Sequence, residues 1–140
     1  MKIKLSLITL SMIALLVLSS CFVTSRDIGV EITCGQFVDN PKNNFNDFEV
    51  EIGDKITVKL CSNASTGFQW EYVMTSDNVV KEEDHDFEEP EGDVVGAAGV
   101  EVWTFEAIGK GNTEIQMEYS QPWEGGIKKE WTYTISVIVE

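Results

Sequence analysis

Residues that catalysis or metal binding would use are scarce in this chain of 140 residues, which has one histidine and three cysteines. Basic residues are also few: ten lysines and arginines stand against 24 acidic side chains, and the net charge is -14. A nucleic-acid-binding surface needs clustered Lys and Arg, so the sequence predicts no nucleic-acid partner. The length leaves no room for a two-domain nucleotide-dependent enzyme. Seven phenylalanines and four tryptophans can still form a core, so the acidic composition does not indicate disorder.

The first segment has the features of an export signal. Two lysines precede an uncharged, largely apolar run over 5–18, which is short for a transmembrane helix of about 20 residues. The four residues ending at Cys21 resemble the lipobox of prokaryotic lipoproteins. We therefore expect residues 1–20 to be a lipoprotein-type signal peptide, Cys21 to carry the lipid, and 21–27 to form a tether. The protein would be exported and lipid-anchored on the outer face of the cell membrane, or periplasmic.

Two alternatives remain open for this segment. It would be a plain signal peptide if Cys21 is incidental, and the protein would then be secreted without a lipid. It would be an uncleaved membrane anchor if the apolar run continues as a helix through Val23.

Export changes the meaning of the other two cysteines. Outside the cytosol Cys34 and Cys61 can keep a disulfide, and Cys21 is then the odd one out, as a lipidated residue should be. A thiol nucleophile with His85 as its base is the rival hypothesis, but both thiols fall in predicted strands of an exported protein. His85 lies in the acidic run 82–93, which lacks the further ligands of a specific cation site. The sequence thus predicts a Cys34–Cys61 disulfide, no metal and no cofactor.

Beyond the tether, apolar and polar residues alternate with the period of two that predicts half-buried strands, and no helical period is present. We predict strand A over 28–37, B over 54–62, C over 68–74, D over 86–95, E over 100–107, F over 113–120 and G over 130–139, with a loop over 38–47 and a possible second part of strand A over 48–52. The acidic run 82–93 is expected to be a solvated loop or a sheet edge. Short strands separated by Gly and Asn turns indicate one all-β domain over 28–140, an immunoglobulin-like antiparallel β-sandwich.

The connections between these strands are the expected binding surface. Because successive antiparallel strands alternate in direction, the B–C, D–E and F–G loops should cluster at one end. The candidate binding residues are Asn63, Ala64, Ser65, Thr66, Gly67 and Phe68 in the first loop, Gly96, Ala97, Ala98 and Gly99 in the second, and Gln121, Pro122 and Trp123 in the third. Asn63 can hydrogen-bond nearby backbone and Gly67 can take a positive φ, so the first loop would be rigid. Trp123 beside Pro122 would dock with little loss of conformational entropy.

Taken together and in this order, the three loops resemble those of the chagasin family of cysteine-protease inhibitors. The family's first motif, Asn-Pro-Thr-Thr-Gly followed by an aromatic residue, is matched by 63–68 with Ala64 in place of proline. Its second, Gly-x-Gly-Gly-x-x-x-Trp, is matched by 96–103 with Ala98 in place of glycine. Its third, Arg-Pro-aromatic, is matched by Gln121-Pro122-Trp123 with glutamine in place of arginine.

The resemblance implies a monomeric, reversible, non-covalent and competitive inhibitor, not an enzyme. It would insert the three loops into the active-site cleft of a papain-like cysteine protease and form a one-to-one complex, with Thr66 near the catalytic Cys-His region. Ala64, Ala98 and Gln121 depart from the motifs and bear on affinity and target range. The alternative function is an exported immunoglobulin-like adhesion or assembly module without inhibitory activity.

Overall fold

The computed structural model describes residues 24–92 and 94–140 as two packed four-stranded sheets. The strands are β1 (Asp27–Ile32), β2 (Asn44–Val50), β3 (Lys55–Ser62), β4 (Gln69–Met74), β5 (Val80–Glu88), β6 (Gly99–Ala107), β7 (Gly111–Ser120) and β8 (Trp131–Val139), with one α-helix, α1 (Cys34–Asp39), and a 3₁₀ helix, Ala64–Thr66. Their order is β1-β3-β6-β5 in the first sheet and β2-β8-β7-β4 in the second. The all-β sandwich predicted from the sequence is confirmed.

The N-terminal predictions lie outside the described part of the chain. The signal peptide, the lipid on Cys21 and the beginning of the tether belong to residues 1–23. The end of the expected tether is part of the domain, because Asp27 opens β1 and Arg26 pairs with Asp54. Within residues 24–92 and 94–140, no helix has the length and apolar character that crossing a membrane requires.

Alternating burial explains why these segments are strands. In β6 every second residue from Gly99 to Ala107 is buried, and the residues between them are half-buried. The central strands β3, β6, β7 and β8 supply most of the core, including the fully buried Trp103, Phe105, Ile115, Tyr133 and Ile135. Predicted strands B, C, E, F and G correspond to β3, β4, β6, β7 and β8 within two residues at each end. Burial along these strands follows the period of two in the sequence.

The sandwich is not antiparallel throughout, as the sequence had suggested. β1 runs parallel to β3, with Ile32 opposite Leu60, and β2 runs parallel to β8, with Asn44 opposite Tyr133. The predicted strand A and its possible second part are therefore two strands in different sheets. Parallel pairing requires a crossover connection, and here the chain passes from β1 to β3 through α1 and through β2 of the other sheet.

The helix α1 lies where the sequence predicts the end of strand A, which extends to residue 37, and no helix is predicted there. Thr33 begins the helix with a capping box: its backbone N–H donates to Oε1 of Gln36 at 2.9 Å, and its hydroxyl accepts from the N–H of Gln36 at 3.4 Å. Phe37 is completely buried, with its ring stacked on that of Trp131 at a centroid distance of 5.0 Å. A helix of six residues with one buried side chain is too short to show a helical period in the sequence.

The predicted disulfide between Cys34 and Cys61 is present, with a Cα–Cα distance of 5.1 Å. Cys61 lies in β3 as expected, but Cys34 is the first residue of α1 and not a strand residue. The bond therefore ties α1 to the end of β3, beside the first loop.

Predicted strand D lies too far along the chain. Its counterpart β5 spans Val80–Glu88, because Val80 is buried opposite Ala107 and sets the register. Most of the acidic side chains that follow are exposed, and β5 is an edge of its sheet. Charges along an edge strand discourage pairing with another chain. The expectation that the acidic run forms a solvated edge holds for the part in β5.

Candidate functional site

The register of the two sheets brings three connections to one end of the domain. Ser62 ends β3 opposite Gly99, which begins β6, and Glu88 ends β5 opposite Val100. In the other sheet Gln69 begins β4 opposite Ser120, where β7 ends. The first loop (63–68), the second loop (89–98) and the third loop (121–130) therefore emerge together, and we call this surface the loop end. The predicted clustering is confirmed.

The first loop is a compact turn built around Asn63. Residues Ala64–Thr66 form the 3₁₀ helix, and Oδ1 of Asn63 accepts hydrogen bonds from the backbone N–H of Ser65 at 3.1 Å and from its hydroxyl at 2.6 Å. The Thr66 hydroxyl donates to the carbonyl of Asn63 at 2.6 Å. Gly67 ends the turn with φ of 77°, a left-handed backbone conformation that costs free energy for residues other than glycine. The loop has these internal bonds although Ala64 replaces the proline of the family motif.

The second loop is joined to the first by a hydrogen bond. Nδ2 of Asn63 donates to the carbonyl of Gly96 at 3.0 Å, and Gly96 has φ of 79°. Ala98 is half-buried against the core, so its methyl group faces inward and does not extend the loop end. Gly99 lies in β6 in a crowded position, where a Cβ atom would be 2.5 Å from the carbonyl oxygen of Glu88. Gly96 therefore contributes to the shape of the loop, and Gly99 allows the close packing of β6 against β5.

The third loop is closed by Gln121 and carries Trp123. The backbone N–H of Gln121 donates to the carbonyl of Ile127 at 2.8 Å, and the side-chain Oε1 of Gln121 accepts from the N–H of Ile127 at 2.9 Å. Lys128 donates to the carbonyl of Gln121. Gln121, which replaces the arginine of the motif, therefore holds the loop internally. Trp123 stays half-exposed and packs over Gly67, where a Cβ atom would lie 2.5 Å from its Cη2.

A cluster of aromatic side chains supports the three loops from below. Tyr119 stacks on Phe68 at 5.2 Å and on Trp131 at 4.8 Å between ring centroids, and it packs against Trp70 at 5.1 Å. The indole N–H of Trp70 donates to the carbonyl of Cys61 at 3.0 Å. Such a packed base restricts the motion of the loops above it.

The loop end offers shape and hydrogen-bonding groups, but no charge at its centre. The segments 63–68, 94–98 and 121–123 contain no ionisable side chain, although the whole chain carries a net charge of -14. A partner would meet the indole of Trp123 and the exposed residues of the first loop. Val94 and Val95 also expose their side chains in the second loop, next to Gly96. Predicted strand D includes this valine pair, whereas the structure places it in the second loop.

The groups that an enzyme would need are not assembled here. Both candidate thiols are bonded to each other. His85 lies in the edge strand β5, opposite Trp103 of β6 and stacked on it, with Nε2 at 3.1 Å from Oε2 of Glu101. Among residues 24–92 and 94–140 no group of three His, Cys, Asp or Glu side chains is placed to hold a metal ion. The arrangement can bind a partner through its surface, and in the described part of the chain neither candidate thiol is free to act as a nucleophile.

Comparison with known proteins agrees with this description. The model of the family described as chagasin family peptidase inhibitor I42 matches residues 49–137. The chain belongs to the chagasin family. Members of this family are peptidase inhibitors and not enzymes. The matched segment includes all three loops of the loop end and leaves β1 and α1 outside it.

One curated protein and two solved structures are similar to this chain. The chain is 29% identical over 96 residues to Amoebiasin-2 of Entamoeba histolytica, and this match covers 64% of the chain and 74% of that protein. The crystal structure of EhICP2, a cysteine protease inhibitor from Entamoeba histolytica, matches with a TM-score of 0.66 at 19% identity, covering 84% of this chain and all of that one. PbICP-C, solved in complex with falcipain-2, matches with a TM-score of 0.54 at 12% identity over 82% of this chain and 98% of that one. These solved structures share the fold.

Proposed function

We propose that this protein is a reversible, non-covalent and competitive inhibitor of papain-like cysteine proteases, and that the loop end enters the active-site cleft of the target. The observation that carries the proposal is the direct contact between the three loops. Asn63 bonds to Gly96 of the second loop, and Gly67 packs against Trp123 of the third loop. Three separate segments therefore form one surface with a fixed shape, and a surface that is ordered before binding loses less entropy when it binds.

Inhibition would depend on the complementary shapes of the loop end and the protease cleft, and not on a covalent reaction between them. Trp123 is the largest exposed aromatic group of the loop end and would be the main apolar contact, as tryptophan often is in interfaces. The first loop would lie nearest the catalytic cysteine of the target. Its backbone is held in a 3₁₀ turn that Asn63 caps, and we expect the inhibitor to emerge uncleaved.

Relatives support this function. EhICP2 is a cysteine protease inhibitor, and PbICP-C forms a complex with falcipain-2. Because both share the fold with this chain at low identity, they support the class of target and leave its individual identity to experiment.

A titration of papain and a panel of papain-like proteases with the mature domain tests the proposal. We expect inhibition that is complete at a one-to-one ratio, competitive with substrate and reversible on dilution, with the inhibitor intact in mass spectra. Serine proteases serve as the control and should keep their activity. A folded domain that leaves the whole panel active at high micromolar concentration would refute the proposal and favour the adhesion or assembly module.

The fold is compatible with the proposed lipid anchor. β1 runs parallel to β3 and therefore toward the loop end, so Thr24 and Arg26 lie at the opposite end of the domain. A lipid on Cys21 would place the loop end away from the membrane and accessible to a protease. Replacing Cys21 with Ser should release the protein or leave it unprocessed. A wild-type protein that itself keeps residues 1–20, with membrane association unchanged in the variant, would instead favour an uncleaved helical anchor.

A further inference from the structure

Tyr119 connects two of the three loops although it belongs to neither. It is buried near the end of β7, just before the third loop, and its hydroxyl oxygen accepts a hydrogen bond from the backbone N–H of Asn63 at 2.7 Å. We propose that Tyr119 is a positioning residue for inhibition, which fixes the first loop in its binding conformation through this hydroxyl. The inference rests on the proposed inhibitory function of the loop end.

The position of the Tyr119 side chain is itself strongly constrained. β7 is a central strand, and Tyr119 lies between Trp70 of β4 and Trp131 of β8 in the sheet. Its carbonyl accepts from the N–H of Glu130 at 2.9 Å, and its ring packs between those of Phe68 and Trp131. Because the side chain is fixed relative to the sheet, its hydroxyl can hold the backbone of Asn63 in a defined position.

Asn63 continues the connection to the second loop. Its backbone N–H is bound by Tyr119, its Nδ2 donates to the carbonyl of Gly96, and its Oδ1 accepts from Ser65. A single residue of the first loop is thus joined to the base of the third loop and to the tip of the second. Loss of the Tyr119 hydroxyl would leave the amide of Asn63 without this acceptor and release the start of the first loop from β7.

The conservative substitution Tyr119→Phe tests the hydroxyl alone, because the ring and its packing remain. Tyr133→Phe is the matched control: Tyr133 is also completely buried, but its hydroxyl donates to Oδ1 of Asn46 at 2.9 Å, in β2 and not in a loop. Two quantities are measured for both variants: amide hydrogen exchange by NMR in the first loop, and the inhibition constant for papain.

We expect Tyr119→Phe to speed exchange at the amide of Asn63 and to raise the inhibition constant about three- to tenfold, the range given by one lost hydrogen bond. Tyr133→Phe should leave both unchanged. Unaltered exchange at Asn63 in Tyr119→Phe, or faster exchange with unaltered inhibition, would overturn the inference. If the wild-type protein does not inhibit papain, the proposed function fails. If amide exchange at Asn63 is also the same in Tyr119→Phe and Tyr133→Phe, the positioning role of Tyr119 is overturned as well.

Discussion

Gly67 and Trp123 are in contact across two loops, and the contact leaves no space for a side chain at residue 67. A Cβ atom on Gly67 would lie 2.5 Å from Cη2 and 3.0 Å from Cζ3 of the indole. Gly67 also has φ of 77°, so glycine is required there for two independent reasons. The contact joins the most exposed aromatic side chain of the loop end to the turn that is proposed to meet the catalytic cysteine.

Replacing Gly67 with Ala should therefore weaken inhibition more than it weakens the fold. The left-handed conformation costs about 1 kcal/mol for alanine, and the methyl group must displace the indole as well. Gly53→Ala is the control, because Gly53 has φ of 94°, no neighbour within 4 Å and a position at the opposite end of the domain. Both variants should lose about 1 kcal/mol of unfolding free energy in urea from the left-handed conformation, and Gly67→Ala should lose somewhat more because its methyl group displaces the indole. Only Gly67→Ala should raise the inhibition constant. Equal inhibition by the two variants would contradict the role of the contact.

Truncating Trp123 to Ala should remove the main apolar contact of the loop end. We expect a loss of about 2 kcal/mol in binding, roughly a 30-fold rise in the inhibition constant for papain, as for an interface hot spot. The fold should lose little, because the indole is half-exposed. Val73→Ala, which trims an exposed apolar side chain in the part of β4 that runs away from the loop end, should inhibit like the wild type. A similar loss in both variants would point to a general effect on the fold.

Removing the disulfide should destabilise the domain. Cys34 and Cys61 are 27 residues apart, and closing a loop of that size contributes about 3 kcal/mol, mainly by restricting the unfolded chain. The double variant Cys34→Ala/Cys61→Ala should lose that amount in urea unfolding, and mass spectrometry of the unreduced wild type should find the two peptides linked. An unfolding midpoint that does not respond to the double substitution would show that the bond contributes nothing.

The stability of the domain should depend on pH through Asp54. Its carboxylate accepts hydrogen bonds from the side chain and the backbone N–H of Arg26 and from the N–H of Glu51. The bond from the Arg26 side chain is the largest cause that lowers the pKa of Asp54, to about 2, although burial opposes it. Because the pKa in the unfolded chain is about 3.9, the stabilisation is complete above about pH 5 and is lost as the pH falls toward 2.

Asp54→Asn measures this contribution. The gap in unfolding free energy between wild type and variant should be widest near about pH 7 and should narrow below about pH 4. Inhibition near neutral pH should be the same for both proteins, because Asp54 precedes β3 at the end opposite the loops. A gap that stays constant down to about pH 2 would contradict the low pKa.

The alternation of apolar and polar residues was sufficient to predict five of the eight strands, because burial on one face of a sheet is a local property that repeats along the chain. It failed where that repeat is short or absent. β5 lies at an edge and keeps only Val80 fully buried, and the helix that begins at Cys34 has a single buried residue, Phe37. The Thr-x-x-Gln capping box at Thr33 and Gln36 is the one sequence signal for this helix. It spans four residues, whereas the predicted strand that overlaps it spans ten.

The candidate loops could also be found in the sequence, because their motifs resemble those of a family and strand direction places them at one end. How the loops hold one another could not be found in this way. The bonds from Asn63 to Tyr119 and Gly96, and the packing of Trp123 on Gly67, join segments far apart in the chain. Such contacts depend on the register and separation of two sheets, which the order of residues along one strand does not contain. Only the folded arrangement of the core decides which side chain of one loop reaches the backbone of another.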